Sequence, residues 1–370
     1  MRAFSAARIW EMVRKEFLQL RRNPLLLRLL LVSPIIQLVL FGYAVSTDVH
    51  NATTFVVDQS NTQESRQLLE AMTASGYFRI SGGSADPADM VSALDHGAAL
   101  VGVAIPPDFA PQLHRPGGAR VQILVDGTNS NSATVALGYA ERIVQNFGAQ
   151  LAITTPLGID LRERAWFNPN LASRDYNVPA VIGSIILMVC LLMTSLAIVR
   201  EREIGTLEQL MVSPLQPLEL IAGKLLPFAL IGLLDILAVT LVALAWFKVP
   251  LVGNFVVVLS GSVLFLLSAL GIGLLVSAVS ATQQEAFMTS FLLFMPLILL
   301  SGFMFPVTSM PELFHWLTLL NPLRHFLEIV RAVFLKGAGF DDLWRQFLAL
   351  SLMGPALLWL AAGTFRKTAG

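Results

Sequence analysis

Six apolar stretches, at 25–45, 178–199, 225–247, 255–279, 286–305 and 343–364, constrain this chain more than any other feature. A bilayer core about 30 Å thick takes about 20 helical residues to cross. Only structures that satisfy their own backbone hydrogen bonds can do so. The predicted fold is therefore an α-helical polytopic membrane protein with six transmembrane helices. Composition agrees: of 370 residues, 55% are hydrophobic and 14% charged, with a mean hydropathy of +0.67, outside the balance of a soluble globular chain. The formal net charge is zero, and no long basic or aromatic-basic stretch supports a nucleic-acid partner. The single cysteine, Cys190, excludes an intrachain disulfide and reads as a small buried hydrophobe.

Arg28 and Arg345 stand near span ends, where long basic side chains snorkel to the interface. Asp235 is different: it falls near the middle of the third span, where a carboxylate is costly and faces the bundle interior or a wet cavity. In the fourth span Ala269, Gly273, Ser277 and Ala281 recur every four residues, a small-residue stripe that admits a neighbouring helix. Lys and Arg collect before the first span, after the second and after the last, so both termini are expected in the cytoplasm. Residues 1–24 read as a cytoplasmic amphipathic helix lying on the membrane, with Trp10, Val13, Phe17 and Leu20 on one face. Its basic region is too long for an ordinary signal peptide, and no cleavage is expected. Residues 365–370 form a cytoplasmic tail.

Residues 46–177 change character, being rich in Asp, Ser, Thr, Asn and Gly. Strands are predicted at 54–58, 77–81, 98–105 and 119–126, with helices at 60–75 and 86–97 and a long helical return from about 131 to 155. This is an inserted extracytoplasmic α/β domain. His96, His114 and the nearby Asp residues lack metal-ligand spacing. Asn51-Ala52-Thr53 matches a glycosylation sequon, a weak pattern.

The chain carries no catalytic motif. Gly223-Lys224 lacks the upstream glycine and the Ser/Thr of a phosphate-binding loop, so no nucleotide, metal or other cofactor is expected in this chain, and it is not expected to be an enzyme. Uphill transport would draw on an ion gradient through Asp235 or on a separate ATPase. A gradient-driven carrier usually places ionisable groups on several helices, and Asp235 stands alone. A non-transporting anchor or sensor acting through the outer domain is a third reading. For an ATPase the chain offers the stretch between the second and third spans. It runs through Arg200, Glu201, Arg202 and Glu203, turns at Gly205-Thr206, continues with Glu208 in a short amphipathic helix and breaks at Pro214 and Pro217.

These residues carry a family resemblance. "REREIGTLEQLMVSPLQPLELIAGKLLPF" (200–228) resembles the signature of ABC type-2 permeases. "WFNPNLASRDYNVPAVIG" (166–183), apart from the polar Tyr176-Asn177, is similar to the segment re-entering the membrane in members with a large outer domain. "SGFMFPVTSMPELFHWLTLLNPLRHFLEIVRAVFLKG" (301–337) is similar to their outer re-entrant region, giving a permease domain over 178–364 with that region at 306–342. The resemblance implies a permease subunit of an ABC exporter in a bacterial inner membrane, paired with a second copy or paralogue. ABC ATPase subunits would bind ATP and Mg, and a periplasmic adaptor is a further expected partner. Residues 200–214 would be the segment that docks on the ATPase, and a hydrophobic or amphipathic, drug-like or lipid-like molecule the cargo.

Overall fold

The computed structural model describes residues 5–44, 51–113, 115, 118–128, 130–151, 173–206 and 216–368. It divides into two compact units, one formed by residues 1–46 with 166–370 and the other by residues 47–165.

The larger unit is helical. Helix α1 (Ala6–Arg22) is followed after Asn23 by α2 (Pro24–Ala44). Met12, Val13, Glu16 and Leu20 form the buried face of α1, with Met12, Glu16 and Leu20 spaced by four and Val13 beside them. The expected stripe is thus split: Val13 and Leu20 face the protein, whereas Trp10 and Phe17 are exposed. Two contacts on the opposing helix select this face. A Cβ added to Gly223 would come within 2.6 Å of Met12, so the two backbones approach closely there, and Glu16 meets Lys224.

Helix α7 (Ser173–Ile204) has 32 residues, about 48 Å at 1.5 Å per residue, well beyond a core of about 30 Å. After it come α8 (Pro217–Ala245), α9 (Phe255–Val279), α10 (Gln283–Leu299), α11 (Glu312–Thr318), α12 (Pro322–Arg331) and α13 (Phe340–Thr368). Among the described residues five helices are long and apolar enough to cross a membrane: α2, α7, α8, α9 and α13. The apolar stretch at 286–305 forms a helix of 17 residues that stops at Leu299. There the chain turns through Gly302 (φ 81°), a left-handed conformation that glycine tolerates, and Asn321 donates its side-chain amide to the Leu297 carbonyl at 2.7 Å.

Helix α12, from the expected re-entrant region, is part of the core. Phe326 stacks on Phe265 of α9 with ring centroids 4.3 Å apart, and Gly183 of α7 lies where a side chain would strike Leu323, Phe326 and Leu327. A single π turn over Ala332–Lys336 then ends at Gly337.

In the second unit, β1 (Ala52–Asp58), α3 (Gln63–Ala74), β2 (Phe78–Ser84), α4 (Pro87–Asp95), β3 (Val101–Ile105), α5 (Phe109–Leu113), β4 (Gln122–Val125) and α6 (Ser130–Leu151) follow in order. The sheet order is β2-β1-β3-β4, with β1 parallel to β2 and β3, and β4 antiparallel to β3. Local chemistry places the helices. Thr62 and Ser65 form a capping box on α3, and Asp86 caps α4 ahead of Pro87. Tyr77 stacks on Tyr139 of α6 at 3.9 Å. His96 is exposed, while His114 lies outside the described residues.

Candidate functional site

The last turns of α7 carry the charged stretch, and their side chains point in three directions. Glu201 turns inward, 6% exposed. Its Oε1 accepts from Lys15 Nζ at 2.7 Å and from Lys224 Nζ at 2.8 Å. Lys224, 2% exposed, also donates to Glu16 Oε1 at 3.1 Å and to the Ala197 carbonyl at 3.2 Å. An ammonium has three hydrogens, and here each has an acceptor. Two carboxylates and two ammoniums from α1, α7 and α8 thus form one cluster, buried except at the partly exposed Lys15. A second tie lies beside it: Glu219 of α8 accepts from Arg8 at 2.6 Å and from the backbone N–H of Ser5 and of Gln216.

Arg202 reaches sideways to the Ser280 carbonyl at 2.8 Å. Glu203 accepts from the backbone N–H of Gln283 at 2.7 Å and from its side-chain amide. These bonds join the end of α7 to the turn after α9 and to the first residue of α10. Arg200 and Gly205 are exposed. Gly205 adopts φ 78°, and among the described residues nothing lies within 4 Å of where a Cβ would stand, so conformation favours glycine there. The Thr206 hydroxyl donates back to the Glu201 carbonyl at 3.4 Å, at the end of α7. Glu208 and Pro214 lie outside the described residues. Glu201, in the stretch expected to dock on an ATPase, bonds instead to two lysines within the chain.

The small-residue stripe meets α7 at Gly273 and Ser277. Ala269 is buried, a Cβ on Gly273 would come within 2.7 Å of Thr194 Cβ, and Ser277 Oγ accepts from the N–H groups of Ile198 and Val199. Ala281 does not take part: α9 ends at Val279, and Ala281 is exposed in the following turn. Asp235 is 1% exposed, and neither carboxylate oxygen has a hydrogen-bond partner. One turn earlier, Gly232 packs against Leu266 and the buried Cys190.

Sequence reasoning singled out Glu201 and missed its partners Lys15 and Lys224 together with the acid Glu16. Lys15-Glu16, Glu201 and Lys224 are far apart in the chain, and the one available signal was a lysine two turns inside a mostly apolar helix.

The family described as ABC-2 family transporter protein matches residues 26–362. The chain belongs to this family. This ABC-2 chain is 34% identical over 362 residues to the "Probable multidrug ABC transporter permease YbhR" of Escherichia coli, covering 97% of this chain and 98% of that one. It is 32% identical to the "Probable multidrug ABC transporter permease YbhS" of the same organism, covering 89% of each. With the "Inner membrane transport permease YhhJ" it shares 29% identity over 85% of each chain. The ABC-2 chain is a multi-pass membrane protein of permease type.

Proposed function

We propose that this chain is the membrane-spanning subunit of an ATP-driven exporter in a bacterial inner membrane, powered by separate ABC ATPase subunits and acting as a dimer with a second copy or close paralogue. The observation that carries the reading is the buried cluster at Lys224. Force applied at the end of α7 has no slack to take up, because Glu201 is joined to α1 and α8, Arg202 to the turn after α9 and Glu203 to the start of α10. Residues 200–214 are then the docking segment. Arg200, Glu203 and Ile204 form the outward face near the Gly205 turn.

In this reading α10 crosses as the fifth of six spans, both termini are cytoplasmic, and the 47–165 unit is extracytoplasmic, where an adaptor would meet it. The cargo is a hydrophobic or amphipathic molecule, in keeping with relatives named multidrug permeases. Co-expression with an ABC ATPase subunit, reconstitution in vesicles and assay of dye export with and without ATP test the proposal. ATP-independent export driven by a proton gradient would refute it in favour of the second reading, which the buried, unpartnered Asp235 supports.

A further inference from the structure

Beneath the α1–α2 corner lies a cavity of about 840 Å³, entirely within the larger unit and of the size that takes a drug-sized molecule. Its apolar wall is formed by Leu20, Met193, Leu196, Ile204 and Phe228. The charged residues around it are Glu16, Glu201 and Lys224, together with Arg22 and Arg200. The first three are already committed. Lys224 spends its three hydrogens on Glu16, Glu201 and the Ala197 carbonyl, and Lys15 supplies the second positive charge against the two acids. Arg22 and Arg200 are placed differently. Both are exposed, and among the described residues neither guanidinium has an ion pair or a hydrogen bond. The cavity thus carries two uncompensated positive charges beside an apolar wall.

Charge selects the ligand. A cation finds no free acid, because Lys15 and Lys224 balance Glu16 and Glu201. A neutral molecule leaves both guanidiniums unpaired. An oxyanion answers them: each guanidinium presents a planar fork of N–H donors that matches a carboxylate, sulfate or phosphate, and a concave site lined by one sign of uncompensated charge concentrates the attraction. The apolar wall calls for a hydrocarbon or aromatic body on the same molecule. We propose that this cavity binds an amphipathic anion, its oxyanion head held by Arg22 and Arg200 and its apolar body lying on Leu20, Met193, Leu196 and Phe228. Such a ligand arrives as a soluble organic anion or as an anionic lipid. Its binding needs neither the ATPase nor export, so the site is independent of the function proposed above.

The test is fluorescence titration of the full-length chain, delipidated in a neutral maltoside detergent, with dansylglycine and with dansylglycinamide. The two probes share the fluorophore and differ by one carboxylate. Dansylglycine should bind saturably and at least about ten-fold more tightly than the amide, as one charge-assisted hydrogen bond provides. Salt at about 1 M should remove most of that difference, because the guanidiniums are exposed. Arg22→Gln with Arg200→Gln should bring the anion down to the affinity of the amide and leave the amide unchanged, a split that a distorted fold would not produce. Leu196→Trp, which fills the apolar part, should weaken both probes at least about ten-fold. Competition separates the two sources. Displacement of dansylglycine by phosphatidylglycerol but not by phosphatidylcholine assigns the site to anionic lipid, and no displacement by either assigns it to a soluble anion. Equal affinity for the two probes, an anion preference that survives the double arginine substitution, or unchanged binding of both probes to Leu196→Trp would overturn the proposal.

Discussion

Lys224 and Asp235 are buried ionisable residues on the same helix in opposite circumstances. Lys224 is fully hydrogen-bonded by groups from α1 and α7; Asp235 has no hydrogen-bond partner for either oxygen. Removing one member of a buried ion cluster strands the others, typically at about 3–5 kcal/mol. Lys224→Met should therefore lower thermal stability markedly, and adding Glu16→Gln and Glu201→Gln should restore most of it. Detergent-solubilised unfolding of the single and triple variants measures both effects. Asp235 should behave in the reverse sense. Asp235→Leu relieves an unmet polar group, worth about 1–3 kcal/mol, so the variant should melt higher. If the carboxylate is retained for transport, export by Asp235→Leu and Asp235→Asn should fall while membrane insertion stays normal. Wild-type export by both would assign the residue no part in transport.

At the scale of elements, what was legible depended on the range of the causes. Asp86-Pro87 and Thr62 start helices through bonds to residues two or three positions away, and such signals stand in the local sequence. The period-four stripe at Ala269, Gly273 and Ser277 was visible for the same reason, although the end of α9 removed Ala281 from it. The Lys224 cluster joins residues 15–16, 201 and 224 across three helices, and no local pattern announces it. The side of α1 that packs on the protein was out of local reach on the same ground: hydrophobicity alone ranks Trp10 and Phe17 with Val13 and Leu20, whereas Glu16 lies on the buried side against Lys224. Two helix-scale tests follow. Gly273→Val drives a side chain into Thr194 and the Leu191 carbonyl, and overpacking of this kind costs about 1–3 kcal/mol; the variant should melt lower. Gly205→Val meets no obstacle but resists φ 78°, so it should keep the fold and the association with the ATPase while uncoupling hydrolysis from export. Reconstituted vesicles, assayed in parallel for ATPase binding, hydrolysis and transport, separate these effects.

For the whole molecule the open variable is how the chain threads the bilayer, and the end of α10 is where it turns. A helix of 17 residues rises about 26 Å, slightly short of a core of about 30 Å, and the residues after Leu299 supply the difference only if the Gly302 turn lies within the interface. If α10 crosses, six spans place both ends of the chain on one side, with the 47–165 unit opposite them. The Gly205 turn, between α7 and α8, then lies on the same side as the termini. If α10 dips and returns, five spans leave the C-terminus on the side of the 47–165 unit. Single cysteines distinguish these arrangements once Cys190 is replaced by Ala. Positions Ser84 and Ser130 should react with a membrane-impermeant maleimide in intact cells, and Thr206 only after permeabilisation. Position Thr368, at the end of α13, is decisive: protection in intact cells means six spans, and labelling there with Thr206 still protected means that α10 does not cross.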